Sequence, residues 1–335
     1  MLFHPGKPWG KIVITAMNLR QLKVFEAVVS LGGFSRAAEH LDLTQPAVSM
    51  LVRQLEKELR IVLFEPKDRK RLSPAGRELL LYARRILAQV RDAESAMAFH
   101  ENAANPSSAQ APRGLLHLGV VSPAHYFAPR LLHEFHQRHP DVRLKLTVAK
   151  RAEILEMLVE HQLDIAITGY PPSEADLDAG SFARHPHCIV APPDHPMLAR
   201  AGIELTDLQN EDFIFREHGS ATRLFLEQLL QAQSLQVRLG MELAGNETIK
   251  HAVMCGLGIS FLSAHVVQIE LDAGRIAILD VVDMPKYIDW CFIHRRDTPL
   301  TAVNKAFKKF VFDEGARIAA CQVGGPQIRT PRIPD

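Results

Sequence analysis

Thr44, Gln45 and Pro46, followed by Ser49 and Arg53, put hydroxyl, amide and guanidinium groups at the start of one short amphipathic segment. These groups match the donors and acceptors on base edges and the oxygens of a phosphate backbone. Thr44 is equally a helix cap and Arg53 a solvated charge, so residue type alone leaves both readings open. Arg36, Lys70 and Arg71 flank the segment and could position it on a polyanion. A second set is spread over the rest of the chain: Ser122, Pro123 and His125; Lys150 and Arg151; Thr168 and Gly169; Gly219, Ser220, Ala221 and Thr222; Asn246 and Glu247. Backbone N–H groups at 219–222 with Lys150 or Arg151 opposite suit a phosphate or carboxylate. Ser122, Ser220 and Asn246 are also ordinary helix caps. Bond-making constellations are missing: there is no Gly-x-Ser-x-Gly, His-Glu-x-x-His or Gly-rich phosphate loop, and nothing pairs Asp164 with Asp280. His133, His136 and His139 recur every three residues, which drifts around a helix, so no metal site is expected.

Those groups need elements to hold them. At 335 residues the chain has room for two or three domains, and its net charge of +1 signals no polyanionic partner by itself. Residues 17–74 hold ten Lys and Arg against seven Asp and Glu, and five of the ten lie between Arg60 and Arg71. That modest basic patch fits phosphate contacts and a solvated loop alike. No apolar run reaches the roughly 18 residues of a membrane span, and residues 1–16 read as an extension without regular structure, so a cytoplasmic protein without membrane contact is expected. Cys188, Cys255, Cys291 and Cys321 lie far apart, which suits burial better than a redox pair or zinc.

Apolar residues at helical spacing predict a first helix over 18–29, a short one over 36–41 capped by Ser35, and a third after Thr44 with Pro46 in its first turn. Val48, Leu51, Val52 and Leu55 face inward on the third, leaving Gln45, Ser49, Met50 and Arg53 outward. This is a helix-turn-helix over 34–53, followed by a wing: a strand at 62–64, the basic run as its turn, and a return at Leu72. Ser73 and Pro74 open a helix over 74–100, on which Leu79, Ala83, Ile86, Val90, Ala93 and Met97 alternate by four and three. That seam favours a partner chain over packing on the sensor domain. A polar hinge follows at 101–112. Beyond it, short apolar runs alternate with helical stretches through 113–313, predicting mostly parallel sheets covered by helices in two lobes, about 113–191 with 281–313, and about 192–280. Residues 314–335 read as a tail. Clefts of such folds lie beyond strand C-termini, which is where the second set of residues falls.

The segment FSRAAEHLDLTQPAVSMLVR at 34–53, with Leu63-Phe64 and Ser73-Pro74-Ala75-Gly76 after it, resembles the LysR-type transcriptional regulators. The likeness runs from Met17 to Phe312. It implies a winged helix-turn-helix, a linker helix, an effector domain of the periplasmic-binding-protein type 2 fold, a dimer of dimers, and double-stranded DNA and RNA polymerase as partners. Pro66-Lys67-Asp68 departs from the family's usual Arg and Gly, which puts the wing's phosphate contacts in doubt. Three stretches, 120–129, 190–196 and 246–254, are similar to the CbbR group, regulators of Calvin-cycle operons. That likeness implies a phosphorylated or nucleotide effector and no cofactor. The expected target is an interrupted palindrome with half-sites about 34 Å apart. Two rivals fail on the same residues. A transport solute-binding protein requires an export signal and leaves the Gln-Pro-Ala-Val-Ser helix unexplained, and an α/β enzyme lacks a nucleophile, metal or cofactor motif.

Overall fold

The computed structural model describes residues 17–66, 68–103 and 112–320. The chain forms two compact units, with the division between Glu94 and Ser95.

In the first unit, α1 (Leu19–Ser30) is closed at its start by a capping box. Gln21 N–H donates to Asn18 Oδ1 at 3.0 Å and Asn18 N–H to Gln21 Oε1 at 2.8 Å. Gln21 is fully buried and also donates to Glu58 at 2.9 Å, tying α1 to α3 (Gln45–Leu59). Between them, α2 (Phe34–His40) starts two residues earlier than its sequence suggests: Gly33, not Ser35, is the N-cap, and Ser35 lies exposed inside the helix. Ala37 and Ala38 are buried, small enough for α2 to approach the core of Leu22, Phe25, Val48, Val52 and Leu55. The wing pairs β1 (Phe64–Glu65) antiparallel with β2 (Asp68–Leu72), so Asp68, Arg69, Lys70 and Arg71 belong to the return strand rather than the turn.

Helix α4 (Pro74–Ala103) begins where Ser73 Oγ accepts from Gly76 N–H at 2.9 Å and donates to Val62 O at 2.6 Å. Its expected dimer stripe divides. Ala83 is buried in the helix-turn-helix core, and Leu79 and Ile86 pack against that core. Val90 is half-buried, and Ala93 and Met97 are exposed. Part of the stripe therefore serves the chain's own core, which a spacing argument cannot distinguish from a partner's helix. The hinge expected at 101–112 falls mostly outside the described residues, as do the 1–16 extension and Cys321.

The second unit is built on a mixed sheet in the order β10, β6, β11, β5, β3, β4, with β9 also on β6. Parallel strands β3 (Gly114–Val121), β4 (Val142–Ala149) and β5 (Ile165–Gly169) form one lobe, flanked by α5 (Ala128–Arg138) and α6 (Arg151–Val159). The expectation of mostly parallel sheets fails at β6 (Leu177–Ala191) and β11 (Lys286–Arg295). These are long antiparallel partners, registered from Leu177↔Arg295 to His187↔Lys286. Only 188–191 reads as strand in the sequence, because the stretch before it carries exposed Ser181 and Arg184 and then buried His185, Pro186 and His187. The far half of β6 pairs with β9 (Ser260–Ser263) and β10 (Ala277–Ile278). The second lobe adds β7 (Asp212–Arg216) parallel to β8 (Arg238–Leu243), α7 (Ala221–Ala232), α8 (Asn246–Met254) and α9 (Ala264–Asp272). Finally, α10 (Ala302–Ile318), capped by Thr301, returns to the first lobe. Ile318 and Ala319 are buried there, so the folded unit extends past the expected end at 313. Cys188 and Cys291 are buried as expected, whereas Cys255 is exposed. Among the described residues no helix is long and apolar enough to cross a membrane.

Candidate functional site

Two sites emerge, one in each unit. In the first, Thr44 caps α3 by accepting from Ala47 N–H at 3.4 Å, and Pro46 occupies the first turn, where a missing N–H costs nothing. Gln45, Pro46, Met50 and Arg53 are exposed. Ser49, placed outward by its spacing, is buried, and its hydroxyl accepts from Gln45 Nε2 at 3.1 Å. It steadies the side chain that can reach a base edge instead of reaching one itself. Arg36 is exposed and donates to Gly32 O at 3.0 Å, which aims its guanidinium from the start of α2. Arg71 is exposed on β2, 3.9 Å from Asp68. The Lys70 side chain lies outside the described residues. The face thus offers one helix N-terminus, an amide and three guanidinium groups, suited to phosphates and base edges.

In the second unit the expected residues converge from both lobes. On the first lobe, a 3-10 turn over Ser122–Tyr126 includes Pro123 and stacks the His125 and Tyr126 rings 4.1 Å apart. Lys150 is exposed ahead of α6, and Arg151 donates to the Gly169 and Pro171 carbonyls at 3.4 and 3.1 Å. Thr168 and Gly169 are buried at the end of β5, where Gly169 pairs with Trp290 of β11. A Cβ on Gly169 would lie 2.9 Å from the tip of the Ile288 side chain, so a larger residue requires that side chain to shift. On the second lobe, Gly219 takes φ +83°, and Ser220 and Ala221 lead into α7 with Thr222 buried.

The side chains that could equally serve as helix caps make no capping hydrogen bond. Ser220 makes no capping hydrogen bond, and α8 is capped by Gly245. The buried Asn246 instead donates across the lobes to Ser122 Oγ at 3.2 Å and accepts from Arg216. Beside it, Tyr126 of the first lobe donates to Glu247 of the second. No hydrogen bond or ion pair among the described residues joins Lys150 or Arg151 to the 219–222 loop.

Arg216, Glu217, Lys250 and Glu270 escaped the sequence reading. Arg216 is buried at the end of β7 and donates to both oxygens of Glu217, at 2.8 and 3.0 Å. That guanidinium outweighs the cost of burial and holds the Glu217 carboxyl down at about 2. Lys250 is buried with Glu247 and Glu270 each 2.9 Å from its ammonium. The spacing of Lys250 three residues after Glu247 was a usable signal; the burial was not. Burial pushes the Tyr126 hydroxyl well above its ordinary range, with the Glu247 bond adding to it. His185, His187 and His265 lie buried together, with His185 stacked on the Trp290 indole at 3.8 Å, His265 edge-on to it, and His187 against His185 at 4.2 Å. Burial keeps all three neutral and pushes His187 down to about 3. Among the described residues no three His, Cys, Asp or Glu side chains are grouped to hold a metal.

This geometry accords with the chain's relatives. The profile of the bacterial regulatory helix-turn-helix protein, lysR family, matches residues 19–77, and that of the LysR substrate binding domain matches 109–316. A RuBisCO operon transcriptional regulator of Allochromatium vinosum is 39% identical over 309 residues, 92% of this chain and 99% of that one. The HTH-type transcriptional regulator CbbR of Rhodospirillum rubrum is 43% identical over 295 residues, 88% and 95% of the two chains. Among solved structures, the regulatory domain of Synechocystis PCC6803 CcmR in complex with 2-PG aligns with a TM-score of 0.57 at 34% identity, covering 60% of this chain and 97% of that one. These relatives are named as transcriptional regulators. With a capped helix-turn-helix in one unit and a two-lobed domain in the other, the chain belongs to the LysR family of DNA-binding transcriptional regulators.

Proposed function

We propose that this regulator controls carbon-fixation operons of the RuBisCO type in response to a small acidic metabolite held between the two lobes of its second unit. The observation that carries the reading is the Asn246–Ser122 bond across the lobes, beside buried Arg216 and the N-terminal end of α7. Side chains that would cap helices in a purely structural role are turned into the cleft instead. The kinship with CbbR proteins supports the target genes, and 2-PG, bound by the CcmR domain, is the first effector to test. Phosphorylated sugars and nucleotides are the wider class.

At the DNA, Gln45 reads a base edge from the leading turn of α3, Arg53 holds a phosphate or guanine, and Arg36, Lys70 and Arg71 position the unit on the backbone. Two copies joined along the free part of α4, paired again into a tetramer, would span an interrupted palindrome with half-sites about 34 Å apart. RNA polymerase is the partner through which such a regulator acts, and the cytoplasm is where both are met.

Calorimetric titration of the full-length protein with 2-PG, sugar phosphates, nucleotides and dicarboxylates tests the effector reading. One saturable acidic ligand whose affinity falls at least about tenfold in Asn246→Ala is expected. No binding by any of the four classes would refute it. Protection of a RuBisCO-operon promoter in a footprint would support the target, and protection only of an unrelated operon would favour a regulator of other metabolism.

A further inference from the structure

The two donors that close the cleft at α8 converge on one oxygen. Tyr126 Oη, from the first lobe, and Lys250 Nζ, from the second, both meet Glu247 Oε1, the ammonium at 2.9 Å. The Lys250 ammonium also lies 5.1 Å from the centre of the Tyr126 ring. A strong cation and a hydroxyl aimed at one anionic oxygen form the arrangement by which proteins hold phosphates and carboxylates.

Glu247 is the dispensable partner in this group. A buried ammonium requires one opposite charge. Glu270 of α9, only 16% exposed at its side chain and also 2.9 Å from Lys250, meets that requirement alone. Glu247 then leaves the cluster with one negative charge in excess, and its side chain is 61% exposed on the first turn of α8. It can rotate into water at little cost. Glu270 cannot, because leaving Lys250 would strand two buried charges.

We propose that Lys250 and Tyr126 are the anion-holding pair of the effector cleft, and that the Glu247 carboxylate competes with the effector's phosphate or carboxylate for them. The exchange keeps Lys250 paired with Glu270 and keeps the lobes joined through Tyr126, now by way of the ligand. Glu247 is therefore a built-in competitor that sets the effector concentration needed for a response. The assignment rests on the reading that the inter-lobe cleft binds an acidic metabolite.

The test is calorimetric titration of full-length wild type, Glu247→Gln and Glu156→Gln with 2-PG and, separately, with inorganic phosphate. Glu156 is an exposed carboxylate of α6 on the other lobe and controls for general field effects. Glu247→Gln should bind 2-PG about fivefold tighter or better, with phosphate shifting the same way and Glu156→Gln within about twofold of wild type. Unchanged or weaker binding by Glu247→Gln overturns the competition, as does equal tightening in Glu156→Gln. Lys250→Met should abolish binding; if it fails to fold, Glu247→Gln still decides. Wild type binding neither probe would instead remove the cleft reading itself, and this assignment with it.

Discussion

At the residue scale, the proposed DNA face depends on how one amide is held. Gln45 stands on the leading turn of α3, and Ser49, one turn on and buried, accepts its Nε2–H. Fixing a long polar side chain before binding removes part of the entropy cost of making a base contact. Gln45→Ala should therefore cost about 1–3 kcal/mol of discrimination at one base pair, measured by competing the operator against point variants of that pair. Ser49→Ala should weaken operator binding by a few-fold, about 0.5–1.5 kcal/mol, while the urea midpoint moves little. Equal binding by Ser49→Ala and wild type would show that Gln45 needs no support. Residue types and spacing were enough to place Gln45, Arg53 and Arg36 on the exposed surface. The same spacing put Ser49 outward, because the angle at which α2 crosses α3 is set by Ala37 and Ala38 packing and not by periodicity along α3.

Elements are positioned here by backbone approaches that only glycine permits. Gly76, in the first turn of α4, is buried against the wing: an added Cβ would lie 2.0 Å from the Leu63 carbonyl oxygen. The obstacle is main chain on both sides, so neither can swing away. Gly76→Ala should lower the stability of the first unit by about 1–3 kcal/mol or more, read as a fall in its urea midpoint, and weaken operator binding in parallel. An unchanged midpoint would mean that the start of α4 is free to shift. Caps made most boundaries readable in advance: Asn18, Thr44, Pro74 and Thr301 mark helix starts within a residue or two. Two elements were hidden. β6 carries polar side chains and a proline through a buried crossing, and the last turns of α10 look like a tail because Asp313, Glu314, Gly315 and Arg317 interrupt the apolar pattern. Gly315 is there to seat the helix, since a Cβ would lie 2.7 Å from the Phe182 ring.

Across the second unit as a whole, β6 and β11 run from one lobe to the other, and three neutral histidines form a buried cluster in which His185 and His265 pack on Trp290 and His187 on His185. Burial is the main reason each imidazole is held below its ordinary value of about 6.5, His187 at about 3. The unfolded chain takes up protons on these groups below about pH 6.5, and the folded chain does not. Their contribution to stability is complete above that pH and declines as pH falls toward the folded values, by up to about 1.4 kcal/mol per pH unit for each histidine. Glu217 acts in the same direction in a lower window: its carboxylate, held at about 2 by Arg216, loses its contribution as pH falls from the ordinary glutamate range toward that value. The urea midpoint of the second unit should therefore drop between pH 7.5 and 5.5, and His187→Phe should show a shallower drop. Parallel pH profiles for the two proteins would contradict this account of the cluster.

The succession of strand ends and helix starts, with the Ser122 and Asn246 side chains beside them, was legible before the fold was known, because such places attract the same residue types in any open α/β sheet. The pairing of Arg216 with Glu217 and the burial of Lys250 depend on contacts between distant segments, which no local pattern reports. The most direct test of the whole account is the affinity of the full-length protein for its own upstream DNA, by anisotropy, across a series of salt concentrations with and without saturating 2-PG. Wild type should bind with an affinity that falls linearly on logarithmic axes as salt rises, and 2-PG should shift that line, whereas Asn246→Ala should keep the line and lose the shift. Salt-insensitive or absent binding, or a 2-PG effect of equal size in the variant, would contradict a DNA-binding regulator governed from the cleft between its lobes.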